Sequence, residues 1–499
     1  MENHAYGLAE LGKYNNVYGK EQHMKPSPSV QVTFDQLKDA VSHSTDFVMK
    51  SMDFAHCKYG LFYLETMVDS EVFQDHIVRP ISLRPDLAVK EVVTIRVMKE
   101  SDDIQEAIAA IVKGQTVLQK EGETTLYLLG TEQKKERAIN IPTNERVLRG
   151  PHEAFIENLD TNINMIRKNI ASPDLVVTYF IIGSVSRTRI AVIHMKGIAN
   201  PDVNNVIEQR LQNIDIDIAE APGFIQEYIQ ETKFSLFPQL LTTERVDRAR
   251  AYLMEGKVVI LAEGAPEVTI LPVSFWSFFQ SPDDYQISWW IGSVFRLLRI
   301  LCFFIGLGLP GLYVSLVSFQ TYVLPLTVAL TIQGALKYIT LQPVIEVIVM
   351  LFALEVLREA TVRLANPIGQ AISVVGGIVI GTAVVQSNLV SNTAVIVASI
   401  TGLASFIIPS YEMSSSVRLI NLIITLFSAL FGLVGLVFSF FCLTIYLCRM
   451  NTMGLPYFYP SLVDSDVLDT IIRAPIWRLK RRPKEAAPVN KQRFRNSRR

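Results

Sequence analysis

Apolar and polar positions follow two different patterns along this chain, and the change falls near Asp284. Before that point charged and apolar residues are interspersed, as in a soluble protein. Beyond it, charged residues do not occur in three long intervals, 300–336, 364–411 and 419–448. Because about 20 apolar residues span a bilayer, intervals of this length predict a helical polytopic membrane region after a large soluble N-terminal region.

Short strands and helices alternate in the soluble region. Strands are predicted at "TTLYLLG", "LVVTYFIIG", "TRIAVIHMKG", "KVVILAEG" and "EVTILP". Helices are predicted at "SDDIQEAIAAIVKG", with Ser101 as its N-cap and Gly114 as its stop, after Asn200-Pro201, and at "TTERVDRARAYLMEG" and "PVSFWSFFQSPDDY". Strands joined by short turns, with helices between them, predict two small α+β subdomains rather than a doubly wound sheet.

A break at Gly150 and Pro151 precedes a regular helical pattern. Pro151 suits a first helical turn, and apolar residues then recur at every third or fourth position. These residues are Phe155, Leu159, Ile163, Ile166 and Ile170. The break therefore predicts a helix that runs to about residue 170 and opens the second subdomain.

The membrane region contains six apolar segments. They are 291–317, 322–336, 343–364, 368–386, 393–409 and 419–447. The first carries Arg296 and Arg299 at its cytoplasmic end, and Trp276, Trp289 and Trp290 flank it. The two arginines either extend toward the headgroups or pair with acids of another segment, and the indoles favour the membrane interface.

Both ends of the chain are expected in the cytoplasm. The first thirty residues lack the apolar run of a secretory signal. From Arg473 to Arg499 the tail carries eleven Lys or Arg and one acid, Glu485, which the positive-inside rule places in the cytoplasm. Such a tail is either solvated or in contact with anionic lipid. The number of spans is then even: six, or four with a re-entrant or interfacial hairpin.

These patterns divide the chain into five parts. They are a disordered segment (1–30), two cytosolic α+β subdomains (31–149 and 150–284), a transmembrane helical domain of four or six spans (285–450) and a cytoplasmic basic tail (451–499).

Ionisable residues cluster in the segment "PVIEVIVMLFALEVLREATVRL". They are Glu346, Glu355, Arg358, Glu359 and Arg363. On a helix, Glu355 reaches Arg358 and Glu359, and Glu359 reaches Arg363. Charges at membrane depth are costly unless they are paired or hydrated, so the cluster is a candidate ion pathway. The alternative is an interfacial helix. Glu346 is the least paired acid, which makes it a candidate pore residue or, near the helix start, a cap-like structural carboxylate.

Small residues recur at every fourth position in "NPIGQAISVVGGIVIGTAVVQ". They are Gly369, Ser373, Gly377 and Gly381. Small residues let transmembrane backbones approach closely, so this stripe predicts a tight helix contact. The contact is either within one chain or, on weaker evidence, between copies in an oligomer.

Composition narrows the classes of function. A formal net charge of −1 argues against nucleic acid as the main partner. Cys57, Cys302, Cys442 and Cys448 have no metal-binding or redox spacing, and the sequence contains no HExxH motif or phosphate loop. We therefore expect neither an enzyme nor a bound cofactor or metal.

Six stretches in order resemble the A subunit of the GerA-type spore germinant receptors, over about residues 40 to 478. They are "GPHEAFIENLDTNINMIR", "SLFPQLLTTERVDRARAYLMEGKVVILAEGAP", "FFQSPDDY", "LREATVRLANPIGQAISVVGGIVIG", "SFIIPSY" and "DTIIRAPIW". The resemblance implies a protein of the spore inner membrane that works with a transporter-like B subunit and a lipoprotein C subunit. It also implies a homo-oligomer, with a pentamer as the expected form, that makes a nutrient-gated cation channel. The Gly150-Pro151 break resembles the start of the second half of the family's cytosolic domain.

The chain departs from the family pattern at several positions. "LKYITLQP" stands where "REGVPFP" is usual, and Leu351 replaces a second glutamate of the charged helix. Val246 stands in place of the proline of a TERPD motif, and Thr382 in place of a common glutamine. The alternative function is a non-conducting membrane scaffold or accessory germination protein that docks partners through its cytosolic domain. A membrane-bound enzyme is a distant third.

Overall fold

The computed structural model describes residues 25–54, 57–85, 87–95, 97–133, 142, 145, 149–219, 222–363, 376–378, 381–459 and 469–493. The chain forms two compact units. The first comprises Met1–Ala138, Asn158–Tyr179 and Ala191–Lys196, and the second comprises Ile139–Glu157, Phe180–Ile190 and Gly197–Arg499. The predicted boundaries of the five parts remain predictions.

The first antiparallel sheet is covered on both faces. Its strands are β1 (Phe47–Phe54), β2 (Cys57–Leu64), β3 (Met98–Ser101), β4 (Thr116–Lys120) and β5 (Leu126–Leu129), in the order β1-β2-β4-β5-β3. The helices of this region are α1 (Val30–Ala40), α2 (Ser70–Phe73), α3 (Arg79–Leu83), α4 (Val89–Val92) and α5 (Ile104–Val112). Alternate strand residues face opposite sides, so Phe62 joins the core with α1 and α5, while Leu61 joins the core with α3 and α4.

The helix cap predicted at Ser101 is wrong, because the cap of α5 is Asp103. Its carboxylate accepts a hydrogen bond from the Gln105 N–H at 2.9 Å. Ser101 is the last residue of β3, and its hydroxyl accepts the Asp103 N–H at 3.2 Å. Gly114, the predicted stop, follows the helix with a φ of +88°, a conformation that glycine adopts without strain.

A second five-stranded sheet lies in the second half of the soluble region. Its strands are β6 (Leu175–Ile182), β7 (Thr188–Met195), β8 (Leu241–Thr243), β9 (Val258–Ala262) and β10 (Val268–Leu271), in the order β6-β7-β9-β10-β8. The helices are α6 (Leu159–Asn169), α7 (Pro201–Gln212), α8 (Pro222–Ile229) and α9 (Val246–Glu255). The five predicted strands are all present: one is β5 of the first sheet, and four are β6, β7, β9 and β10 of this sheet, whereas β8 was not predicted. The α+β class is confirmed.

The helix predicted from the Gly-Pro break begins about two turns later than expected, at Leu159. The amide of Phe155 donates to the Glu244 carbonyl at 2.8 Å, which keeps this segment extended. The side chain of Asn158 then caps α6 by accepting the Thr161 N–H at 2.9 Å. Phe155 is still buried, so the apolar spacing marks the core but not the secondary structure.

The helix predicted at "PVSFWSFFQSPDDY" is also wrong. This stretch forms two short 3-10 turns, Phe275–Phe279 and Pro282–Tyr285. Ser281 and Asp284 make reciprocal capping hydrogen bonds, and Pro282 occupies the first turn, so a new turn starts at Ser281.

Among the described residues that follow, 376–378 and 381–386 are helical, and five helices have complete bounds. They are α10 (Trp289–Ser318), α11 (Leu326–Leu336), α12 (Pro343–Arg363), α13 (Asn392–Phe406) and α14 (Tyr411–Arg449). The helices α10 and α14, with 30 and 39 residues, are long and apolar enough to cross a bilayer. A short hairpin, β11 (Asn451–Thr452) and β12 (Leu455–Pro456), comes after them. Much of the predicted span 368–386 lies outside the described residues, so the choice between four and six spans remains a prediction.

Glycines of α10 lie against α14. A Cβ added at Gly306 would lie 3.1 Å from Val417, and one at Gly311 would lie 2.7 Å from the Ser428 hydroxyl. The amide side chain of Asn421 donates to the Gly306 carbonyl. Close backbone approach with a polar side chain between helices is the usual packing of transmembrane helices.

Candidate functional site

Glu346 lies where α10, α12 and α13 meet, and it is fully buried. Its Oε2 accepts the N–H of Ser391, the N-cap of α13, at 2.9 Å, while its Oε1 has no hydrogen-bond partner among the described residues. The hydroxyls of Tyr313 and Ser391 lie 3.1 Å apart beside it. Within one chain, Glu346 therefore has the position of a structural carboxylate at a helix start. The pore role stays a prediction.

The other charged residues of α12 are paired. Arg358 lies 3.3 Å from Glu355, as the helical spacing predicts, and Arg418 of α14 lies 3.1 Å from the same carboxylate. The Arg358 guanidinium also donates to the Ser405 hydroxyl at 3.0 Å and lies over the Phe406 ring. Glu355 is therefore balanced by two cations, and its side chain is 50% exposed.

The last pair on α12 is exposed. Arg363 lies 2.6 Å from Glu359, and their side chains are 77% and 60% exposed. Exposed pairs contribute little stability, so this end of the helix is free to contact headgroups or other chains. The ion-pathway and interfacial-helix hypotheses both remain predictions.

The small-residue stripe is only partly within the described residues, because Gly369 and Ser373 lie outside them. A Cβ added at Gly377 or Gly381 would meet nothing within 4 Å, whereas one at Gly376 would lie 2.9 Å from Leu357. Gly377 and Gly381 therefore have open space beside them in the single chain. The predicted contact on the stripe remains a prediction.

The two arginines at the start of α10 are paired with acids. Arg299 lies 2.8 Å from Asp284, and Arg296 lies 3.5 Å from Asp284 and 3.7 Å from Asp469. Tyr285 donates to Asp469 at 2.9 Å. We call these five residues the junction cluster. Of the two alternatives for Arg296 and Arg299, extension toward the headgroups or pairing with acids, the structure shows pairing. Burial raises the pKa of Asp469 above its usual range, and its neighbouring cations oppose that shift.

The tail packs on the soluble part of the second unit as far as residue 493. Lys257 is fully buried and forms an ion pair with Glu485. Glu485 also accepts from the Ser274 hydroxyl at 2.6 Å. Arg482 donates to the Met254 carbonyl at 2.7 Å, and Arg493 pairs with Glu255. The described part of the tail is thus packed on the protein through specific contacts and is not a freely solvated segment. Its acid Glu485 is one partner of a buried pair.

The Gly-Pro break lies beside the base of α10. Gly150 has a φ of +121°, and a Cβ added there would lie 3.4 Å from Gln286, whereas Pro151 is exposed. Nearby, Glu145 pairs with Arg248 at 2.8 Å and accepts from the Thr243 hydroxyl at 2.5 Å. The break therefore marks an extended connection, and the glycine is required by its backbone conformation.

No group of three or more potential metal ligands occurs among the described residues. The four cysteines are free, and only Cys302 of them is buried.

The family model for the Bacillus/Clostridium GerA spore germination protein matches residues 35–485. The chain belongs to the GerA family of spore germination proteins. It is 38% identical to spore germination protein A1 of Bacillus subtilis over 390 residues, which cover 77% of this chain and 80% of that protein. This confirms the resemblance carried by the six motifs.

Two further similarities describe the GerA-family chain. It is 31% identical to the membrane protein YfkQ of Bacillus subtilis over 467 residues, 92% of this chain and 91% of that protein. The crystal structure of the N-terminal domain of the A subunit of the Bacillus megaterium spore germinant receptor GerK3 covers 51% of the chain and 99% of that domain. It is 24% identical, with a TM-score of 0.39. Family membership makes this a non-enzymatic membrane protein of spore germination.

Proposed function

We propose that this chain is the A subunit of a nutrient germinant receptor in the spore inner membrane, and that copies of it assemble into a cation channel. The match to the GerA family model and the similarity to spore germination protein A1 support the receptor assignment. The proposed assembly is a homo-oligomer of five copies. It would work with a B-type transporter-like subunit and a C-type lipoprotein. Both termini would lie in the cytoplasm.

The observation that carries the channel proposal is the state of the acids on α12. Glu346 keeps one carboxylate oxygen without a partner among the described residues, and Glu355 stays half exposed beside its arginines. Rings of carboxylates are a recurring way to make a pore select cations. Gly377 and Gly381 leave open surface on the following helical segment, where another copy would pack closely.

Flux measurements on the purified full-length protein test the proposal. Liposomes loaded with potassium and containing the reconstituted oligomer should lose potassium faster than empty liposomes, and they should exclude chloride. The matched variants are Glu346→Gln and Glu71→Gln, the second being an exposed acid of the soluble region. Absence of flux in every oligomeric state would reject the channel.

The second candidate is a non-conducting scaffold, and one observation favours it. Glu346 is sealed inside the chain by its bond to Ser391, and Glu355 and Glu359 each have an arginine partner. If these acids are structural, the membrane region anchors a cytosolic docking domain. Co-purification of the B-type and C-type subunits from spore membranes without any flux would support this alternative.

A further inference from the structure

An open cavity of about 410 Å³ lies at the N-terminal end of α10, between that helix and the C-terminal segment. The residues that matter for its chemistry are Tyr285, Ser288, Trp289, Trp290, Arg473 and Trp477. Ser288, the N-cap of the helix, makes no side-chain hydrogen bond to the first turn. The first backbone N–H groups of a helix lack intrahelical acceptors and carry a partial positive charge, so this end of a 30-residue helix favours an anion.

Arg473 supplies the second and independent observation. It lines the cavity, yet it is only 4% exposed. Its Nε–H has no hydrogen-bond partner among the described residues, and its guanidinium lies 5.3 Å from the centre of the Tyr285 ring. The hydroxyl of Ser293 donates to the Arg473 carbonyl at 3.0 Å, which fixes the backbone on α10. A buried guanidinium with unused donors is costly unless an acceptor arrives from outside the chain.

The acids of the junction cluster already have partners in two other arginines and the Tyr285 hydroxyl. Asp284 lies beside Arg296 and Arg299, and Asp469 lies beside Arg296 and Tyr285. Arg473 and Arg493 also act on Asp469 electrostatically, and Arg493 is itself paired with Glu255. Arg296, Arg299 and Arg473 therefore share Asp284 and Asp469, and a negative charge in the cavity would supply a further acceptor for Arg473.

The rim of the cavity indicates where that charge would come from. Trp289, Trp290 and Trp477 are 43%, 58% and 69% exposed, and Ile476 is 51% exposed. Exposed indoles at the start of an apolar helix lie at the level of lipid headgroups. The phosphate is the anionic group at that depth, and Arg binds it through two parallel hydrogen bonds.

We propose that this cavity binds the phosphate of an anionic phospholipid, with Arg473 and the first turn of α10 as donors and the three tryptophans around the acyl end. The bound lipid would hold the C-terminal segment against the first span. Exposed cations further along, such as Arg478 and Lys480, add only the weaker attraction of a basic surface to an anionic membrane.

Calorimetric titration of the full-length protein in an uncharged detergent tests the site. The probes are dihexanoyl phosphatidylglycerol, dihexanoyl phosphatidylcholine, inorganic phosphate and glycerol 3-phosphate. We expect one phosphatidylglycerol per chain, bound at least about tenfold more tightly than the other three. Equal binding of phosphatidylglycerol and phosphatidylcholine would overturn the proposal. Inorganic phosphate as tight as phosphatidylglycerol would assign the cavity to a free anion and overturn the lipid.

Variants locate the binding. Arg473→Gln should weaken phosphatidylglycerol by about tenfold to a hundredfold, because it removes charge-assisted hydrogen bonds. The matched control Arg478→Gln, at an exposed arginine, should change affinity less than about twofold. Unchanged affinity in Arg473→Gln would refute the site. If that variant does not elute as a folded species, Arg473→Lys, which keeps the charge but not the planar fork, must still bind more weakly than wild type. The wild-type comparison of the four probes stands in either case.

Discussion

A buried ion pair in the first unit holds α6 against the loop before β1. Arg167 on α6 lies 2.7 Å from Asp46 through both Nε and Nη2, and their side chains are 2% and 0% exposed. The same guanidinium donates to the Ser44 hydroxyl at 2.9 Å. The Thr66 hydroxyl donates to Asp46 at 3.3 Å. The pair thus connects α6 to the loop before β1 through a bidentate contact shielded from water.

Replacing Arg167 with methionine leaves the Asp46 carboxylate buried with only hydroxyl donors. Removing one partner of a buried pair costs about 3 to 5 kcal/mol, far more than the pair itself contributes, because the remaining charge is uncompensated. With a tenfold change for each 1.4 kcal/mol, openings that expose α6 should become about a hundredfold to a few thousandfold more frequent.

Hydrogen exchange with mass spectrometry on the full-length protein measures this locally, without assuming that the whole chain unfolds in one step. Peptides covering 159–169 should lose protection in Arg167→Met by that factor. The control Arg84→Met changes an exposed arginine and should leave the same peptides within about twofold of wild type. Adding Asp46→Asn should recover part of the loss, since the stranded charge is removed. Wild-type protection in Arg167→Met would refute the reasoning.

Four further outcomes are expected. Glu346→Gln keeps an acceptor for the Ser391 N–H. If the residue faces a pore, the variant should have lower cation selectivity at a normal protein level, and if the residue is structural, it should have lower abundance at unchanged selectivity. No change in either quantity would leave α12 outside the conduction path. Gly377→Leu should impair assembly by about 1 to 3 kcal/mol of overpacking if the stripe is a close contact, measured by cross-linking in membranes. Gly311→Leu should reduce thermal stability in detergent through its clash with α14, whereas Gly334→Leu, at a position where an added Cβ has nothing within 4 Å, should not. Burial lowers the pKa of His194 to about 4, whereas its ordinary pKa is near 6.5. The stability that the neutral side chain contributes is therefore present above pH 6.5 and is lost as the pH falls toward 4. Urea titrations across that window should show wild type losing up to about 3 kcal/mol relative to His194→Gln.

Local patterns determined most of the secondary structure. The predicted strand at "TTLYLLG" forms β5, and two of the three charge-free intervals, 300–336 and 419–448, overlap α10 and α14, because alternation and apolar length are properties of neighbouring residues. Spacing on one helix also predicted the pairs of Glu355 with Arg358 and of Glu359 with Arg363. The helix boundaries at Ser101 and Pro151 could not be read in this way, because competing caps and extended pairing decided them.

Contacts between distant segments were decided only by the tertiary structure. In the sequence, Arg296 and Arg299 are charges at the edge of a span. Acids occur both in the SPDDY stretch and in the tail, and only the folded chain places Asp284 and Asp469 beside the two arginines. Arg473 looked like one of eleven basic residues of a solvated tail until its burial against Tyr285 set it apart. The physical reason is that periodicity specifies only which face of an element is apolar. The partner of a buried charge depends instead on which segments the topology brings together, and the topology is determined by residues along the whole chain.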